Sequence, residues 1–104
     1  YKHSYKNLDF LHLNSTQLEK IKTILIDFKK EYKEFYEYKE EQEDLLKDLI
    51  ENKEFNEKQY LKILTDIKTK SAILEVTRLK KIHTILDEKQ REEFADYLEE
   101  WEIE

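Results

Sequence analysis

The sequence predicts an all-α fold, in which a long antiparallel helical hairpin is followed by a third, C-terminal helix. The 104 residues include no Gly and no Pro, so the chain has few residues suited to tight turns or β-hairpin loops. Charged residues make up 42% of the chain, and the apolar residues between them recur at helical spacing. We therefore expect a single helical domain over residues 1–104, near the size at which one core is adequate.

Apolar residues spaced alternately three and four apart predict the first helix, over residues 15–51. This spacing is that of a heptad seam, along which a helix packs against a partner helix. Lys39 and Gln42 interrupt the seam, and residues 1–14 form an N-terminal segment with a less clear pattern. The seam positions are Leu18, Ile21, Leu25, Phe28, Tyr32, Phe35, Leu46 and Leu49.

The second helix is predicted over residues 57–86, and its apolar face is too wide for one partner helix. One stripe comprises Tyr60, Ile63, Ile67, Leu74, Ile82 and Ile85. The other comprises Ala72, Val76, Leu79, His83 and Leu86. A third helix over 88–102 has Phe94, Tyr97, Leu98 and Trp101 on one side. The surplus apolar surface predicts a homodimer, unless the third helix folds back and covers it.

The three helix starts share one pattern, an apolar residue followed by Asn or Asp and, three positions later, by Gln. Asn and Asp accept hydrogen bonds from the free amides of a first helical turn, and Gln can reach back to complete a capping box. We predict N-caps at all three starts, and the simplest interpretation is that they only begin helices. The residues are Leu13, Asn14 and Gln17; Phe55, Asn56 and Gln59; Leu86, Asp87 and Gln90.

The segments 13–17 and 86–90 resemble the paired Leu-Thr-x-x-Gln motifs of the Spy/CpxP family of periplasmic stress proteins, to which the CnrX and ZraP metal-resistance proteins are related. In that family one motif opens the first long helix and the other follows the second, and the same placement spans nearly this whole chain. Asn14 and Asp87 replace the Thr of the motif. The resemblance implies a hooked hairpin that forms an antiparallel dimer in the periplasm. Its members act as ATP-independent chaperones, as inhibitory partners of envelope stress sensors, or as metal sensors.

Two histidines suggest an alternative function in metal binding. If the long helices are antiparallel, His83 lies near the start of the first helix and hence near His12. With Glu19 these residues offer ligands for zinc, nickel or cobalt. Against this, the chain has no Cys or Met, and Arg78 and Ile82 stand where the resemblance leads us to expect metal ligands. We therefore expect no cofactor, and a metal-responsive sensor is the second hypothesis.

A group of aromatic residues in the first helix is the feature most suggestive of binding. Those on the seam are expected to be core residues, but Tyr36 and Tyr38 lie off it. Together with Lys29 and Lys33 they predict an amphipathic surface, which suits loose contact with unfolded or partly folded chains. The partner is then a client protein or an envelope stress sensor.

Charge and composition exclude several other classes of function. The net charge is −6, from 25 acidic and 19 basic residues mixed along the chain, and no basic face for nucleic acid is evident. No apolar run is long enough to span a membrane. No set of side chains suggests catalysis, so we expect a binding protein. Because the chain begins at Tyr1 without Met, we expect a fragment of a longer product. A plain helical interaction module is the third hypothesis.

Overall fold

The computed structural model describes residues 11–101, and every regular element in this range is helical. The all-α class is therefore confirmed. The molecule measures 58 × 23 × 18 Å, and its long axis matches the length of a first helix of 37 residues at about 1.5 Å per residue. The elements are α1 (Ser15–Glu51), α2 (Glu57–Ile85), α3 (Glu88–Ala95) and a short 3-10 helix (Leu98–Trp101).

The first two helices have nearly the predicted bounds, but the third is much shorter than predicted. The prediction of one helix over residues 88–102 is wrong, because α3 ends at Ala95. The Tyr97 amide bonds to the Phe94 carbonyl at 3.0 Å, which tightens the chain into a turn. Phe94 is buried, whereas Tyr97 and Leu98 are about half exposed. A longer helix would bury little more apolar surface, because α3 packs on its neighbours mainly through Phe94.

Near its start, α1 packs against the end of α2 and against α3. We call this group the basal cluster: Leu11, Ile21, Ile82, Leu86 and Phe94. Ile82 and Ile21 are almost fully buried, at 0% and 1% exposure. Leu11 joins them from outside α1, because His12 has a positive φ of 51° that turns the chain between Leu11 and the helix. The basal cluster thus unites four separate segments of the chain.

A second group, the distal cluster, joins later residues of α1 to early residues of α2. Its members are Phe35, Leu46, Ile63 and Ile67. Tyr38, Leu49, Tyr60 and Leu74 pack around it and are partly buried. Early α1 therefore contacts late α2, and late α1 contacts early α2.

The predicted seam of α1 is mostly buried, as expected from its heptad spacing. Phe28 and Phe35 are core residues, and Tyr32 lies between them with ring centroids 5.7 and 6.4 Å away. Tilted aromatic pairs at such distances add to the stability gained from burial alone. Leu18 is an exception, because 42% of it is exposed. It lies one turn after the start of α1, at the edge of the face that α1 buries.

The two predicted stripes of α2 have different environments. The first stripe faces α1, with Ile63, Ile67 and Ile82 buried. At the end of the second stripe, Leu86 is buried beside Phe94 of α3. Earlier in that stripe Val76 is 61% exposed. α3 therefore covers only the end of the surplus apolar surface, because it is too short to reach further.

Candidate functional site

The start of α1 is closed by a complete capping box. The Asn14 side chain accepts a hydrogen bond from the Gln17 amide at 2.9 Å. The Gln17 side-chain oxygen accepts in turn from the Asn14 amide at 3.0 Å. Leu13, just before the box, is partly buried against the basal cluster. The residues predicted to cap this helix therefore do so.

The start of α3 has the same arrangement. Asp87 accepts from the Gln90 amide at 2.8 Å, and Gln90 Oε1 accepts from the Asp87 amide at 3.0 Å. Leu86, which precedes this box, is 4% exposed and belongs to the basal cluster. The Arg91 guanidinium donates to the Leu86 carbonyl at 2.7 Å, which satisfies an acceptor at the end of α2.

The two boxes are joined through their glutamines, a pair that we call the glutamine clasp. Gln17 Nε2 donates to Gln90 Oε1 at 2.7 Å, and Gln90 Nε2 donates to Gln17 Oε1 at 3.2 Å. The remaining amide hydrogens donate to the carbonyls of Ile85 and Leu11, at 3.0 and 3.1 Å. Each glutamine thus fills all four of its hydrogen-bonding positions. The clasp ties both helix starts to the end of α2 and to the segment before α1.

The third predicted cap, at the start of α2, is simpler. Asn56 accepts from the Gln59 amide at 3.1 Å. The return bond from the Gln59 side chain is not formed, and Gln59 is exposed. The Phe55 and Tyr60 rings pack at 5.3 Å, as expected for a hydrophobic staple across this start. Gln59 bridges to no second motif because it has no neighbouring helix start.

The structure gives no ligand set for the predicted metal site. Within residues 11–101, no group of three or more His, Cys, Asp or Glu side chains is arranged to bind a metal ion. His12, Glu19 and His83 are each exposed. His83 lies at a half-open apolar cavity of about 180 Å³ between α2 and α3. Metal binding by these residues stays a prediction.

The structure divides the predicted client surface into two. Tyr36 and Tyr38 are two positions apart, which places them about 200° apart around α1. Tyr38 packs on the distal cluster, and Lys70 Nζ lies 3.9 Å from its ring centroid. Tyr36 is 46% exposed and shares its side of the helix with exposed Lys29 and Lys33. The four residues therefore do not form one continuous surface.

Arg78 is a buried charge that sequence reasoning did not place in the core. It is 2% exposed, and its guanidinium lies 4.1 Å from the Phe28 ring centroid. Burial lowers the pKa of Arg78 well below its ordinary value, to about 10, and the nearby charge of Glu75 opposes this shift. Its position four residues before the apolar-stripe residue Ile82 is the sequence signal that indicates a core-facing residue.

A groove of about 420 Å³ lies between α1 and α2. Apolar side chains line its floor, and charged residues stand at its two edges. Its lining residues are Glu31, Glu34, Phe35 and Tyr38 of α1, and Lys70, Ile73, Leu74 and Thr77 of α2.

Comparison with known proteins gives no relative from which to transfer a function. No family model, no curated protein and no solved structure matches the chain. Within residues 11–101, no helix is both long enough and apolar enough to cross a membrane.

Proposed function

We propose that this protein is a periplasmic, ATP-independent chaperone or envelope-stress accessory protein of the Spy/CpxP type. It acts by binding and not by catalysis. Its fold is a hooked antiparallel hairpin, in which α1 and α2 are the arms and α3 with the segment before α1 is the hook. It works as a homodimer on unfolded or partly folded client proteins, or on a stress sensor.

The glutamine clasp is the observation on which this proposal rests. The two segments that resemble the family's paired motifs lie 73 residues apart in the chain and are hydrogen-bonded to each other. The third capping motif, at Asn56 and Gln59, begins with Phe55 where the other two begin with Leu, and it makes no such bridge. A shared role in closing the hook gives the two motifs a physical reason to occur as a pair.

Exposed apolar and aromatic surface supports a binding role. Ile73, Val76 and Leu61 are each about 60% exposed, and Tyr36 is nearly half exposed. Ile73 and Val76 lie one turn apart on the same side of α2, and adjoining exposed apolar side chains mark sites of protein contact. The surrounding charged residues keep such a surface soluble while it binds chains of varied sequence.

Suppression of aggregation tests the proposal directly. Several chemically denatured clients are diluted into buffer with near-stoichiometric protein and no ATP, and light scattering is followed. We expect suppression for most clients, with an equal mass of an inert protein as the control. Absence of suppression across all clients would contradict the proposal.

Dimer formation is tested separately by sedimentation. We expect the dimer to form through the exposed apolar side of α2 that includes Val76, so Val76→Glu should produce a monomer. Ile50→Glu is the matched control, because Ile50 is equally exposed, at 62% against 61%, but lies at the far end of α1. A monomeric wild type at high concentration refutes the dimer.

A further inference from the structure

The groove between α1 and α2 lies in the central part of the helix pair. It extends over residues 31–38 of α1 and 70–77 of α2, which is about two helical turns, or roughly 10 Å. Phe35, Tyr38 and Leu74 form its floor and belong to the distal cluster or pack on it. Ile73 stands at its edge and is 60% exposed. The groove therefore offers an apolar floor of a size suited to one or two side chains of a partner.

No part of α3 enters this groove, because α3 packs on the basal cluster instead. Two packed helices leave a long depression between their ridges, and a third helix commonly fills it in helical bundles. A helix satisfies its own backbone hydrogen bonds, and the groove walls, being helical, have no strand edge to pair with an extended chain. The shape therefore favours a helical partner.

The charges at the two edges of the groove are opposite in sign. On the α1 edge stand Glu31 and Glu34, and on the α2 edge stands Lys70. The Lys70 ammonium is held over the Tyr38 ring, at 3.9 Å from its centroid, so its position in the wall is defined. The acidic edge disfavours phosphate groups, which argues against nucleic acid or an anionic lipid surface as the occupant.

The same division of charge extends beyond the groove. Although the charges seem mixed along the sequence, α2 has seven Lys or Arg residues against three Asp or Glu. Residues 37–51 of α1 have seven acidic residues against two basic ones. These charges on α1 and α2 therefore have the same signs as those at the two edges of the groove, and their long-range field adds to that of the edge residues.

We propose that this groove binds an amphipathic helix with an apolar stripe, a basic flank against Glu31 and Glu34, and an acidic flank against Lys70. This inference rests on the proposed chaperone function and deepens it, since it names the client segment that is bound best. The groove selects helices whose apolar stripe is bordered by opposite charges, and it fixes the direction in which they lie.

Three labelled peptides test the inference by fluorescence anisotropy. Each is a leucine-striped helix of roughly 18 residues, about 27 Å long. The first has one Lys flank and one Glu flank, the second has two Lys flanks, and the third has two Glu flanks. We expect the mixed peptide to bind about threefold to tenfold more tightly than either of the others at low salt, with the preference lost at high salt.

Reversing a charge at the edge of the groove should change which of the three peptides binds most tightly. Lys70→Glu makes both edges acidic, so the peptide with two Lys flanks should then bind best. Lys47→Glu is the matched control, because it alters the net charge equally but lies at the distal end of α1, where Lys47 pairs with Asp44 at 3.7 Å. Ile73→Ala should weaken all three peptides, because it removes apolar contact without removing a buried side chain.

The outcomes separate this inference from the proposed function. If aggregation is suppressed but the three peptides bind equally, or Lys47→Glu acts like Lys70→Glu, the groove inference is wrong and the chaperone function stands. If Lys70→Glu or Ile73→Glu converts a dimer into a monomer, the groove is occupied by a second copy and the inference is also wrong. If the mixed peptide is preferred but no client is protected, the groove binds helices and the chaperone function fails.

Discussion

At the basal end of the helix pair, side chains from four segments of the chain surround two glutamines that bond to each other and to the backbone. At the distal end, four apolar side chains from two helices pack with tyrosines and leucines at their margin. Basal contacts combine apolar packing with directional hydrogen bonds between single atoms, whereas distal contacts depend mainly on shape and burial. The basal end therefore has the means to define one geometry, and the distal end has more freedom to adapt.

In the proposed function, the distal region binds partners and the basal region fixes the orientation of the helices. The open groove and the exposed Ile73 adjoin the distal cluster. A surface that receives varied partners gains from adaptable packing, while a hook that sets the orientation of helices gains from fixed hydrogen bonds. Five predictions test the comparison.

The largest expected effect is on the basal core. Ile82→Ala should lower the free energy of unfolding by about 4 kcal/mol, because Ile82 is fully buried and the surrounding segments cannot easily close the cavity. Ile63→Ala, in the distal cluster, should cost about 2 to 3 kcal/mol, because Ile63 is 7% exposed. Urea unfolding followed by circular dichroism measures both. Equal losses at the two sites would remove the contrast between the clusters.

Loss of the clasp comes next. Gln90→Ala should cost about 2 to 3 kcal/mol, because it leaves the Asp87 amide, the Leu11 carbonyl and Gln17 without their partner. Gln59→Ala is the matched control at the same position of α2, and it should change stability by only a few tenths of a kcal/mol. A double-mutant cycle with Gln17→Ala should give a coupling energy of about 1 kcal/mol. No coupling would mean that the clasp adds nothing beyond its two separate caps.

Arg78 lies between the two clusters and tests the cost of a buried charge. Arg78→Met should leave the protein equally stable or more stable by about 1 to 2 kcal/mol at pH 7, because the cost of desolvating the cation is removed. Lys81→Met is the control, since it removes an equal charge from an exposed position three residues later. A marked loss of stability in Arg78→Met alone would show that stacking on Phe28 outweighs the desolvation cost.

The pKa of Arg78 also sets the pH at which its effect should fade. Because the folded-state pKa is lowered to about 10, the unfolded chain binds more protons at this group from about pH 10 up to the ordinary pKa of arginine. The contribution of Arg78 to the free energy of unfolding therefore rises with pH across that window. The advantage of Arg78→Met over the wild type should narrow above pH 10, in the same unfolding measurements.

The smallest effect on stability is expected at the N-cap of α2. Asn56→Ala should cost about 1 kcal/mol, because one amide of the first turn of α2 loses its acceptor. Asn14→Ala should cost more, because the bond it removes also holds the backbone of Gln17, whose side chain forms the clasp. Thermal unfolding of the two variants compares them. A larger loss for Asn56→Ala would reverse the proposed ranking of the two ends.

The sequence pattern was sufficient for the helices that bury a long stripe. The heptad spacing from Leu18 to Leu49, although interrupted at Lys39 and Gln42, predicted the body of α1, and the capping pattern at Asn14 predicted its start. It failed for the third helix beyond Ala95, where apolar residues recur at helical spacing but have little surface to pack on. It also did not predict the burial of Arg78. That burial depends on the ring of Phe28, which lies on another helix, and the sequence of α2 alone does not show this contact.

The sequence by itself determined the helical class, the ends of the long helices and the capping role of Asn14, Asn56 and Asp87, because these depend on neighbours within one or two turns. Tertiary structure alone decided that Gln17 and Gln90 bond to each other while Gln59 does not, and that Lys70 of α2 lies over the Tyr38 ring. Those outcomes depend on which helices lie side by side. The local sequence determines which hydrogen bonds a side chain is able to form. The partner comes from a segment that is distant in the chain and packs beside it.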